Sequence, residues 1–130
     1  QKALSEIFRV LQRGGMFVFD DLFKPKPNVS KDAQKFVYER LLFDTTFSFK
    51  TYQDELQKQG FEIVEARDET KNMKKTYQKL IQILEKKIKN NENHKYHERY
   101  QYLVNAYKKT VEATNKNEIG WGIFVCKKPK

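Results

Sequence analysis

ALSEIFRVLQRGGMFVFDD, residues 3–21, is the stretch whose reading decides the architecture. Ala3, Leu4, Ile7, Phe8 and Leu11 recur at helical spacing and form one apolar stripe. Arg13 suits the last turn of such a helix, and Gly14-Gly15 supply the left-handed residue that stops it. Met16-Phe17-Val18-Phe19 is then an unbroken apolar run ending in Asp20-Asp21. That is the pattern of a strand buried on both faces of a sheet covered by helices. A chain that opens in mid-helix without a methionine reads as the interior of an α/β protein rather than its start.

Downstream, Lys24-Pro25-Lys26-Pro27-Asn28 cannot continue regular structure and is expected as a loop. Ser30 is placed to cap a helix through about Leu42, with Phe36, Val37, Arg40 and Leu41 on one side. Ser48 caps a second helix that carries Tyr52, Glu55 and Leu56 and stops at Gly60. FEIVEARDE, residues 61–69, then reads as a strand. Met73, Tyr77, Leu80, Ile81, Leu84 and Ile88 mark a long one-faced helix, and KNNENH (89–94) breaks it. Tyr96, Tyr100, Leu103, Val104, Tyr107 and Val111 mark its antiparallel partner. A closing strand runs from Ile119 to Cys126, followed by a basic tail. The order helix, strand, two helices, strand, helical hairpin, strand predicts a small mixed sheet flanked by helices. Its first two strands run parallel, and its last is free to insert antiparallel.

The 130 residues, 38% of them hydrophobic and 14% aromatic, suffice for one domain with a modest core. Mean hydropathy is −0.86, and no apolar run approaches the roughly 20 residues needed to cross a bilayer. The lone Cys126 cannot form an internal disulfide, which suits a reducing, cytoplasmic setting. The net charge of +9 is unevenly placed: residues 71–116 hold twelve Lys and Arg against four Glu. Such a segment attracts anions through its field, although lysines on a solvated helix face account for it equally.

The quoted stretch, with TYQDELQKQGFEIVEARD (51–68) and GWGIFVCKKP (120–129), resembles the C-terminal half of a class I S-adenosylmethionine-dependent methyltransferase. The helical insertion before GWGIF is similar to that of the sarcosine/dimethylglycine-type N-methyltransferases. The resemblance implies an α/β, Rossmann-like sheet with strands in the order five, seven, six, the last antiparallel. Residues 1–130 would be the C-terminal portion of the domain, with a hairpin insertion at about 70–115. The N-terminal, cofactor-binding half would be absent. It implies methyl transfer from S-adenosylmethionine to a small molecule, an amine, in the full-length protein, with this portion inactive alone. Gly14-Gly15 follows a helix and precedes a strand, the reverse of a cofactor-binding turn, so no cofactor-binding residue is expected here.

Substrate contacts would lie beyond the C-terminal ends of the parallel strands, where Asp20 and Asp21 stand. A carboxylate there can hold an ammonium group; equally, one Asp can cap the following turn while the other is solvated. By resemblance, Tyr52 and Tyr77 fall on the substrate side, where an aromatic face attracts a methylated ammonium. Both can instead fill the helix–sheet interface. Trp121, between Gly120 and Gly122, marks a close approach of backbone or ligand, or packs beneath a helix. Arg40 and Arg67 are further candidates for a carboxylate or phosphate. His94 and His97, three apart with no third ligand, predict no metal site. Expected partners are a small-molecule substrate and a second copy paired through an exposed sheet edge, with neither nucleic acid nor membrane. The alternative is a non-catalytic binding module that uses the basic hairpin.

Overall fold

A computed structural model describes residues 2–90 and 94–130. Helix α1 (Lys2–Val10) leads through a glycine turn into β1 (Met16–Phe23). A short α2 (Lys31–Ala33) runs on into a π-helical segment (Gln34–Glu39), followed by α3 (Phe49–Lys58) and β2 (Glu62–Asp68). The long α4 (Thr70–Lys89), a 3-10 turn (His94–Tyr96), α5 (His97–Asn115) and β3 (Gly120–Lys127) complete the order. The expected break at 89–94 falls largely on residues 91–93, which lie outside the described residues. So does the His94 side chain.

The local signals work as their chemistry requires. Gly60 ends α3 with φ +105°, whereas α1 ends at Val10, short of the expected glycine stop and of Arg13, and Gly14 (φ +79°) lies in the separate Gln12–Gly15 turn that leads into β1; side chains rarely adopt either conformation. Ser30 Oγ accepts from Ala33 N, and Ser48 Oγ accepts from Thr51 N while Thr51 Oγ1 accepts from Ser48 N, a reciprocal cap.

The sheet order is β1–β3–β2, with the last strand in the middle and antiparallel to both neighbours. The expected antiparallel insertion is thus met. The sheet is not mixed, however: β1 and β2 run the same way, but β3 separates them, so every hydrogen-bonded pair is antiparallel. A bulge between Ile63 and Glu65 shifts the register of β2 against β3.

The chain gathers into two compact units. One comprises Gln1–Pro25, Thr45–Glu69 and Gly120–Lys130. Its core packs Leu4 of α1, Tyr52 and Leu56 of α3, Phe61, and Phe23, Phe124 and Cys126 of the sheet. Leu4 of α1 joins Tyr52 and Leu56 of α3 in this one cluster, so α1 and α3 share one face of the sheet, and Phe8 meets Phe61 edge-on. The opposite face of β1 is open: Met16 is 48% and Val18 60% exposed. The expectation of a strand buried on both sides is corrected here. An apolar run reports what a strand can bury, and only one face meets helices among the described residues.

The second unit comprises Lys26–Asp44 and Thr70–Ile119, in which α4 and α5 pack on one another and the π-helical segment packs on α5. Phe36, Val37 and Tyr38 are consecutive and all buried. A regular α-helix would turn one of three successive side chains away from a flat interface, and the wider π turn keeps all three inward. Leu42 then leaves the helix at φ +51°, so the helix ends at Glu39 rather than near Leu42. The buried Glu118 carboxylate accepts from both Ser30 N and Ser30 Oγ, and Tyr38 Oη donates to the Glu118 carbonyl.

Candidate functional site

β1 carries Asp20 and Asp21 as successive residues, and a strand turns successive side chains to opposite faces. On the covered face, Tyr52 Oη of α3 donates to Asp21 Oδ2 at 2.8 Å, and Leu22 N donates to Asp21 Oδ1 at 2.8 Å. The Tyr52 ring is buried against Phe19, Phe47 and Phe124, with centroids 4.9–5.7 Å away. Burial, and then the hydrogen bond to Asp21 and its charge, hold the phenol well above its usual pKa. Tyr52 is therefore a neutral donor that orients Asp21.

On the open face, Trp121 Nε1 donates to Asp20 Oδ1 at 3.2 Å. In the ladder Asp20 stands opposite Ile123 and Leu22 opposite Trp121, so the Asp20–Trp121 contact runs diagonally across the strands. Trp121 is half-buried on this face. Its flanking glycines face the other way: a Cβ on Gly120 would lie 2.2 Å from Phe23 Cζ. The close approach that the glycines permit is made by an aromatic ring of the same unit. The four residues of this unit thus form two separate pairs, Asp21–Tyr52 and Asp20–Trp121, on opposite faces.

Tyr77 belongs to the second unit, where it helps surround Arg40. The guanidinium lies 5.8 Å from the Tyr77 ring centroid and 5.2 Å from that of Tyr107. Arg40 Nε donates to Phe36 O at 2.7 Å, and Nη2 donates to Thr110 Oγ1 at 3.3 Å and to Tyr77 Oη at 3.4 Å. All these partners are neutral, and no carboxylate pairs with Arg40 among the described residues. A half-buried guanidinium held this way keeps its charge and a planar fork suited to a carboxylate or phosphate. Sequence reading singled out Arg40 without its setting, because Tyr77, Tyr107 and Thr110 join it only through tertiary packing. The usable signal was an arginine on the apolar side of its helix.

The glycine turn was tested as a cofactor cradle on its backbone bonds. Gly14 N donates to Lys128 O and Gly15 O accepts from Lys128 N, so the turn is committed to the end of β3. It does not fit a nucleotide. Cys126 is buried, and burial raises its thiol pKa to about 11, the setting of an inert core cysteine.

No family model matches the chain. It is 26% identical over 128 residues to the sarcosine/dimethylglycine N-methyltransferase of Halorhodospira halochloris, covering 98% of this chain and 46% of the relative. Among solved structures, phosphoethanolamine N-methyltransferase 2 of Haemonchus contortus superposes with a TM-score of 0.80 at 21% identity. That match covers 99% of this chain and 30% of the nematode protein, whose structure holds phosphomonomethylethanolamine and S-adenosylhomocysteine. The fold is that of a methyltransferase's C-terminal part. A sarcosine dimethylglycine methyltransferase from Galdieria sulphuraria also superposes, with a TM-score of 0.76 at 17% identity, over 98% of this chain and 47% of its own. The chain spans about half the length of the curated relative it matches. No helix among the described residues is long and apolar enough to cross a membrane.

Proposed function

We propose that the complete protein is an S-adenosylmethionine-dependent N-methyltransferase whose acceptor is a small amine bearing an acidic group. The observation that carries this reading is the match of nearly the whole chain to methyltransferases named for such amines: sarcosine and dimethylglycine, which carry a carboxylate, and phosphomonomethylethanolamine, which carries a phosphate. Arg40 supports the acidic group, since its charge is held by neutral partners and is free to meet an anion. Within the first unit, Asp20 beside Trp121 and, on the opposite face, Asp21 oriented by Tyr52 are each proposed as a carboxylate suited to an ammonium group; within the second unit, Tyr77 flanks Arg40. Gly14-Gly15 is committed to the end of β3, so S-adenosylmethionine would be held elsewhere than at this turn.

The test is a methyl-transfer assay on the full-length protein with sarcosine, dimethylglycine, phosphoethanolamine and amines of similar size that lack an acidic group. Amines bearing the acidic group should be methylated in preference. Arg40→Ala should raise KM for them by about 10- to 150-fold, the worth of a hydrogen bond to a charged group, and leave KM for amines without it unchanged. Equal use of amines without an acidic group, or no transfer to any amine, would overturn the proposal.

A further inference from the structure

The charge of α4 is one-sided, six of its seven lysines sharing one face. At 3.6 residues per turn, Lys71, Lys74, Lys75, Lys79, Lys86 and Lys89 of α4 fall within one arc of about 140°, opposite the apolar positions from Met73 to Ile88. All but Lys74 are exposed, and none of the six is paired with an acidic group among the described residues. The one acidic residue of α4, Glu85, is taken by Lys108 of α5 at 3.6 Å. The stripe therefore runs about 27 Å along a single helix with its charge uncompensated. Where α4 gives way to α5, exposed Tyr96 (49%) and Tyr102 (43%) lie beneath Lys95 and Arg99, at 5.7 and 5.6 Å from cation to ring.

We propose that this face of α4 docks on a membrane surface rich in anionic lipid headgroups. The proposal stands independently of the methyl-transfer reading. Six cations on one side of a single helix can meet a flat anionic layer together. Lysines act there as point charges rather than as forks that read bases. The stripe carries no aromatic ring on which a base would stack, which disfavours a nucleic acid. Association would be peripheral and electrostatic.

Flotation of the purified chain with phosphatidylcholine vesicles, with and without phosphatidylserine, tests this. Binding should require phosphatidylserine and fall steeply as salt is raised. Each lysine of the stripe neutralised should weaken partitioning about fivefold, so Lys71→Gln, Lys75→Gln and Lys79→Gln together should weaken it about 100-fold. Lys2→Gln, Lys50→Gln and Lys58→Gln, which remove the same charge from α1 and α3, should change it far less. Circular dichroism verifies that both triple variants are folded. Equal loss in the two variants would reduce the effect to net charge and overturn the proposal. So would absence of binding to phosphatidylserine vesicles, or tighter binding to duplex DNA than to vesicles at the same salt.

Discussion

Gly120→Ala should destabilise the sheet by about 2 kcal/mol, and the cost should reside almost entirely in one ring. Gly120 stands opposite Phe23 in the β1–β3 register. An added Cβ would meet Phe23 Cζ at 2.2 Å, Cε2 at 2.3 Å and Cε1 at 2.8 Å. Carbon atoms rest at about 3.5–4.0 Å, so each overlap approaches or exceeds about 1 Å. The ring has little room to retreat: it is 3% exposed and lies 5.4 Å from Phe49, which itself lies 5.7 Å from Phe124. Overpacking of this kind costs about 1–3 kcal/mol, and three close contacts place it at the upper end. Replacing a strand glycine returns about 0.5–1 kcal/mol of chain entropy, which leaves the net figure. Urea unfolding followed by circular dichroism measures it, and a double-mutant cycle isolates the ring. On a Phe23→Ala background, Gly120→Ala should be neutral or slightly stabilising. The same cost in both backgrounds would refute the argument and return Gly120 to the class of glycines kept for a ligand.

Glu118→Ala should cost about 2–3 kcal/mol, because it leaves Ser30 N and Oγ without their acceptor; Ser30→Ala should cost about 1 kcal/mol. Equal values from denaturant curves would contradict the assignment of the carboxylate as the hub. Stability should also fall in alkali. Cys126 is raised to about 11, and Tyr38 and Tyr52 are raised well above the usual phenol value, each chiefly by burial. A group raised in the folded state contributes fully below its unfolded pKa and loses that contribution as pH climbs toward the folded one. Melting temperature should therefore be flat near neutrality and decline above about pH 9, and Cys126→Ala should remove the first part of that decline. An unchanged onset in Cys126→Ala would reject the assignment.

What was legible in the sequence was local chemistry. Ser30, Ser48 and Gly60 each announce a helix end through a bond or a backbone angle that involves only near neighbours. The antiparallel entry of the last strand was legible because a helical hairpin, not a single crossover helix, precedes it. The open face of β1 was not, because Val18 reads the same whether or not a helix covers it. The π-helical segment was hidden for a related reason: Phe36, Val37 and Tyr38 look like one apolar position too many until α5 is placed against them. The separation of Asp20 from Asp21 followed from the strand period alone, but their partners did not: Tyr52 lies 31 residues from Asp21, and Trp121 lies 101 residues from Asp20. Arg40 shows the same limit, its ring of tyrosines being assembled from two later helices.

The central position of β3 has a consequence for biosynthesis. β1 and β2 make no ladder with each other, so among the described strands neither has a partner until residues 120–127 are available. During synthesis β1 and β2 must wait, with the backbone groups they will turn to β3 solvated, while α4 and α5 are completed. α4 and α5, built on contacts close in sequence, can form early; the sheet closes only when the final strand slides between two that are already made. Its assembly is thus a late zipping event governed by the last segment to emerge, and the waiting strands are where a holding chaperone would be needed most.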